Sequence, residues 1–218
     1  MEVPSLIFIK LTRRDFTASP GSFGKIFRIA AYLIGQDPSV LDFKDVSTNQ
    51  NLAQIIVSYG DDTSILKLCC SSRKMDLANI DTEGYTALAK AVENGFYNSV
   101  KYLTSLDASQ LSFEKKRTKS TLIHLAVQNN DNLLLLQFLL SSGSFDLSAI
   151  DSDGKTALAI AYQFGRTECA KYLVNRNPET ASFISLKNEN LAHFAARTIT
   201  PCFWTCVSKM EYRFDVTE

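Results

Sequence analysis

The sequence predicts an all-α fold, a solenoid of stacked helix-turn-helix units, and three observations carry that expectation. A six-residue motif returns at intervals of 35 residues, each interval holds two apolar segments at helical spacing, and Gly or Pro punctuates their ends. A unit of this size cannot bury its apolar face alone, so neighbouring units must stack to make a core.

Thr86-Ala87-Leu88-Ala89-Lys90-Ala91 reappears 70 residues later as Thr156-Ala157-Leu158-Ala159-Ile160-Ala161. Thr121-Leu122-Ile123-His124-Leu125-Ala126 stands midway, 35 residues from each. Asn51-Leu52-Ala53-Gln54-Ile55-Ile56 stands 35 residues before Thr86, and Asn190-Leu191-Ala192-His193-Phe194-Ala195 stands 34 after Thr156. The second half of the period repeats too, as Val100-Lys101-Tyr102-Leu103 and Ala170-Lys171-Tyr172-Leu173. Ala30-Ala31-Tyr32-Leu33, followed by Pro38 and Phe43, matches Ala170 to Leu173 with Pro178 and Phe183 at four periods' distance. The expected organisation is an extension over 1–21, an array over 22–210 and a tail over 211–218. Within the array, units fall near 22–45, 46–80, 81–115, 116–150, 151–184 and 185–210, the first one degenerate as terminal repeats are.

The unit beginning at Asp151 shows how each element arises. Gly154 makes the turn, Thr156 caps the first helix with its hydroxyl, and Leu158 and Ala161 recur at helical spacing until Gly165. A second helix, Thr167 to Asn175, stops before Pro178, which cannot continue it. Two residues before the motif stand Gly84 and Gly154, with Asn49 and Asn188 at the equivalent places; Asn is the residue type best able to replace Gly at positive φ. The unit with Lys119 there needs a turn that is either strained or differently shaped.

With 23 basic and 23 acidic residues the formal net charge is zero, which argues against a general nucleic-acid binder. A charged fraction of 21% beside 45% hydrophobic residues excludes a disordered chain and supports a sizeable core. Nine Gly and five Pro are few for a turn-dense all-β domain. The opening residues have an acid and a short apolar run where an export signal needs positive charge and a longer one, and no stretch has the length of a membrane span. Cys69, Cys70, Cys169, Cys202 and Cys206 follow no disulfide spacing, so the expected compartment is a reducing cytosol.

Thr-Ala-Leu-Ala-x-Ala, preceded by Asp-x-x-Gly-x and followed by Gly and a Tyr-Leu helix, resembles the ankyrin repeat. The family motif Thr-Pro-Leu-His-x-Ala is approached most closely at Thr121 to Ala126, and in part at Asn190 to Ala195. The period here is 35, the family's proline is absent, and Asn130 replaces the Gly after one first helix. The resemblance covers about residues 22–210. It implies a scaffold that binds other proteins through a concave surface of turn tips and first helices. It also implies that His124 and His193 tie neighbouring turns by hydrogen bonds. The irregular repeats and the abundant Asn, Lys, Ile and Phe are similar to ankyrin-repeat effectors that intracellular bacteria deliver into host cells.

Chemistry-bearing motifs are otherwise absent from the sequence: it holds no Gly-rich phosphate loop, serine elbow or acidic metal triad. The period already accounts for both histidines, and spacing does not favour a Cys-His pair with Cys169, Cys202 or Cys206. Cys202-x-x-x-Cys206 lacks the gap and second pair of a zinc site. The expectation is no catalytic residue, no metal and no cofactor. Glu114-Lys115-Lys116-Arg117-Thr118-Lys119 is expected on a loop, either a solvated face or a nuclear-import or acidic-partner patch. Pro201 suits the first turn of a last helix, and Trp204 suits a side chain covering the final repeat.

The position four residues into each motif reads Ile55, Lys90, Leu125, Ile160 and Phe194, apolar in four copies where solvent would favour polar residues. The row three residues on ends in Arg197, and the next contains Tyr59 and Phe164. Two readings follow: curvature buries this stripe inside the stack, or it forms a partner groove centred on Ile160, Phe164 and Phe194 with Tyr85 and Lys155 at the turn tips. The candidate partner-binding residues are therefore Tyr85, Lys90, Leu125, Lys155, Ile160, Phe164, Phe194 and Arg197. The function expected is a monomeric, non-enzymatic scaffold for a protein partner, with no nucleic acid and no membrane span; the alternative is the targeting array of a larger enzyme.

Overall fold

The computed structural model describes residues 44–61, 63–70, 75–129 and 131–182, together with Tyr32, Leu41 and Asp42. The expected units near 22–45 and 185–210 fall largely outside the described residues, as do Asn188, His193, Phe194, Arg197, Pro201, Cys202, Trp204 and Cys206.

The chain divides into two compact units, Met1–Gln110 and Leu111–Glu218. The first holds α1 (Leu52–Tyr59), α2 (Thr63–Cys70), α3 (Ala87–Glu93) and α4 (Tyr97–Leu106). The second holds a two-stranded hairpin, β1 (Glu114–Lys115) and β2 (Ser120–Thr121), then α5 (Leu122–Asn129), α6 (Leu133–Ser142), α7 (Ala157–Gln163) and α8 (Thr167–Arg176). A 3₁₀ turn follows each last helix, Ala108–Ser112 and Pro178–Ser182. In the first unit α1 packs on α2 and α3, and α4 on α2 and α3; in the second α5 packs on α6 and α7, and α8 on α6 and α7. This mostly helical arrangement of stacked helix pairs fits the all-α repeat fold that the motif period predicts.

Local chemistry explains the helix starts. Asn51 and Gln54 close a reciprocal capping box on α1, with bonds of 3.0 and 2.9 Å. Thr86 Oγ1 accepts from Ala89 N at 3.2 Å, and Thr156 Oγ1 accepts from Ala159 N at 3.2 Å. The second helix of the Asp151 unit runs to Arg176, and Pro178 opens the 3₁₀ turn that ends it. The inner face of each first helix is fully buried: Leu52, Leu88, Leu122 and Leu158 are each no more than 2% exposed. Burying a leucine side chain stabilises by about 1.5–3 kcal/mol, so this row holds each pair of repeats together.

The turns show that the true structural period is two repeats. Turns at 45 and 115 are wide: Lys44 bridges Asn51, and Glu114 pairs with Thr121. Those at 81 and 151 are narrow, closed by Asp81 N to Tyr85 O at 3.0 Å and Asp151 N to Lys155 O at 2.9 Å. Within each unit the narrow turn bonds to the wide one before it, Thr82 N to Thr48 O at 2.9 Å and Ser152 N to Thr118 O at 2.7 Å. The basic segment Lys115 to Lys119 thus lies in a hairpin rather than on a plain loop.

Gly84 and Gly154 sit at φ 86° and 73°, Asn49 at 54° and Lys119 at 52°. All four turns therefore require the left-handed region, and Lys119 occupies it with an unbranched but ordinary L side chain, which costs roughly 1–2 kcal/mol. Lys119→Gly should raise stability by about 1 kcal/mol, read as a shifted urea midpoint, whereas Asn49→Gly should gain less because Asn tolerates this region. An unchanged Lys119→Gly midpoint would show that the wide turn carries no strain.

Candidate functional site

Each first helix and the turn before it bring the candidate residues together, and the two units do this differently. In the first unit Tyr85 is only 7% exposed. Its hydroxyl donates to Glu93 Oε1 at 2.6 Å, and Lys90 Nζ lies 5.3 Å from its ring centre. Burial, then the Glu93 carboxylate, pushes the phenol well above its ordinary pKa, so it stays protonated and a donor. Lys90 Nζ also reaches Asp81 Oδ2 at 3.4 Å and Glu83 Oε2 at 3.2 Å. Tyr85 is therefore not a free turn tip, as the sequence suggested; its ring is folded beneath Lys90 and anchored on Glu93.

In the second unit the lysine occupies the turn itself, and Lys155 Nζ pairs with Asp153 Oδ2 at 3.3 Å. Ile160 holds the place of Lys90, but at 5% exposure it is core, and Leu125 at 2% is core as well. Of the two readings of this row, burial inside the stack holds for these two, which corrects their place among the groove residues: neighbouring helices cover them. Phe164, at the end of α7, is 44% exposed. Phe194 and Arg197 lie outside the described residues.

Sequence reasoning missed Ile80 and Ile150, which precede the narrow turns and are 42% and 40% exposed, and Val46 at the wide tip, which is fully exposed. The signal that could have found the first two is the recurrence of Ile-Asp at 70 residues in a solvent-facing turn.

His124 behaves as the resemblance implies. It is 1% exposed; its Nδ1 accepts from Thr121 N at 3.2 Å and lies 2.8 Å from Thr121 Oγ1. Because the backbone N–H can only donate, the ring proton sits on Nε2, which donates to Lys155 O at 3.2 Å. Desolvation lowers the pKa against the opposing pull of Asp151, so the ring is neutral. Gln54, 70 residues earlier, makes the same links: Oε1 accepts from Asn51 N at 2.9 Å and Nε2 donates to Tyr85 O at 2.7 Å. A residue whose role an amide can fill in the neighbouring unit is a structural tie.

Burial raises the thiols of Cys69 and Cys169 to about 12 and that of Cys70 to about 11, so all three are protonated at neutral pH and none is an activated nucleophile. Among the described residues no cluster of His, Cys, Asp or Glu could hold a metal ion, and no helix is long and apolar enough to cross a membrane.

Stacked helix pairs, left-handed turns joined backbone to backbone and a buried tie between them define a helical-repeat protein. The chain belongs to the ankyrin-repeat family: the family model described as Ankyrin repeats (3 copies) matches residues 21–113 and 108–183. No curated protein matches the chain. Ankyrin repeats are generally protein–protein interaction modules, and proteins built from them are typically non-enzymatic scaffolds.

Proposed function

We propose that this chain is a non-enzymatic recognition scaffold that binds a partner protein through its turn tips and the exposed ends of its first helices. The observation that carries the reading is the exposure of Ile80 and Ile150 at equivalent turns, with Phe164 exposed at the end of α7. Large apolar side chains held in water at fixed, repeated positions are what an interface anchor requires. Lys90 and Lys155 supply charge beside these turns, and Leu125 and Ile160 hold the surface from beneath; Phe194 and Arg197, which lie outside the described residues, belong to the same proposal on the motif period alone.

Phe164→Ala with Ile150→Ala should weaken partner binding by more than about 2 kcal/mol while the melting curve stays unchanged. A double variant that melts far lower puts these side chains in the core and overturns the assignment. Unchanged affinity in a stable variant moves the surface elsewhere.

The same reading takes the partner to be a host protein and the chain to be a monomeric effector delivered by an intracellular bacterium, acting in the host cytosol or nucleus. Its support is the likeness of the irregular repeats and of the Asn-, Lys-, Ile- and Phe-rich usage to such effectors. Comparing host-cell with bacterial lysate as the source of captured protein tests it; capture from the bacterial lysate alone would overturn the host assignment.

A further inference from the structure

We propose that the cleft between α2 and α4 of the first unit is a second docking site, which takes an acidic segment of a polypeptide partner. The cleft is about 340 Å³ and is lined by Thr63, Lys67, Asn98, Lys101, Tyr102 and Ser105. Among the described residues its lining carries two cations and no carboxylate. Lys67 Nζ stands 5.8 Å from the centre of the Tyr102 ring, which fixes one ammonium over an aromatic face. Among the described residues neither Lys67 nor Lys101 is ion-paired. Asp61 lies beside Asn98, but its carboxylate already accepts from Asn98 N at 3.1 Å, Asn98 Nδ2 at 3.0 Å and Ser99 N at 2.7 Å, at the start of α4.

The second unit provides the control. Seventy residues on, α6 and α8 pack in the same way, with Gln137 in place of Lys67 and Glu168 in place of Asn98. Lys171, the counterpart of Lys101, is paired to Glu168 at 2.8 Å. One copy of the same architecture is thus ion-paired from within, and the other presents two lysines that form no ion pair among the described residues. The chain as a whole has no net charge, so attraction of an acidic ligand must come from such a local site rather than from a long-range field. The volume is near the lower end for ligand pockets, which suits two carboxylate side chains entering from an extended chain rather than a large enclosed molecule. This face is built from second helices, whereas the surface proposed above is built from turns and first helices, so either can fail without the other.

Fluorescence polarisation of a labelled oligoglutamate peptide with the full chain tests the proposal. Binding is expected at low salt and should weaken steeply as salt is added. Lys67→Gln with Asn98→Glu, which copies the second unit into the first, should lose about tenfold or more in affinity. Phe164→Ala with Ile150→Ala, and Lys116→Glu with Arg117→Glu in the hairpin, should leave it intact. The reverse exchange, Gln137→Lys with Glu168→Asn, should add a second binding equivalent. If the copied variant melts early, Lys101→Gln alone should still show the loss. No binding at low salt, a loss caused by the hairpin variant instead, or displacement of the peptide by inorganic phosphate at equal charge would each overturn the proposal.

Discussion

Leu88→Ala and Leu158→Ala should each lower the unfolding free energy by about 2–5 kcal/mol. Both side chains are 2% exposed, both lie in the first turn of a first helix, and they are equivalent residues of the two units. The loss combines the transfer term with a cavity, because α3 packs on both α1 and α4, and α7 packs on both α5 and α8, leaving little room for collapse. Stability in stacked repeats is a sum of local terms and neighbour interfaces, so weakening an interface costs more than weakening one helix. Urea melts of the two variants read the effect directly. A loss near zero would show that the leucines do not face their neighbours, and the repeat register would be wrong.

His124→Ala should cost about 1–3 kcal/mol, since Thr121 N loses its acceptor and Lys155 O its donor inside the unit. His124→Gln should recover most of that loss, because Gln54 already performs both bonds on the equivalent scaffold. The histidine also imposes a pH dependence whose sign is fixed. The folded pKa lies below the ordinary 6.5, so protons bind the unfolded chain more readily. The neutral ring's contribution is complete above about pH 6.5 and is lost as pH falls through and below that value. The parent should lose stability relative to His124→Gln between about pH 7.5 and pH 5. Parallel pH profiles for the two proteins would mean that the imidazole takes up its proton as readily in the fold as in the unfolded chain, and a parent that gains stability as pH falls would mean that the ring is held protonated; either would overturn the neutral assignment.

What the sequence made legible was backbone chemistry. Gly84, Gly154 and Asn49 announce their left-handed turns by residue type, and the threonine caps announce their helices; all are where the motif places them. The two-repeat period was hidden, because the wide turn at 45–50 and the narrow one at 81–85 differ in length while the motif starts stay 35 apart. The difference is absorbed in the connecting segment, where no motif marks it. The role of Gln54 was hidden for a related reason, since a glutamine in the histidine position looks like motif decay until its two bonds are seen. Burial of Leu125 and Ile160 was equally illegible. An apolar residue on a helix can face a neighbour or a partner, and only the packing of α5 on α7 decides between them.

The pairing of a wide turn with a narrow one also bears on which parts of the chain could be exchanged. Gln54 and His124, Asp61 and Asp131, and the 3₁₀ turns Ala108–Ser112 and Pro178–Ser182 correspond at 70 residues and not at 35. Within each unit the backbone bond joins a wide turn to the narrow one that follows it. The doublet is therefore the interchangeable part of the chain. A graft that moves both repeats keeps each turn beside the one it bonds to, whereas a graft that moves one repeat into the other position brings a turn of the wrong width to that bond.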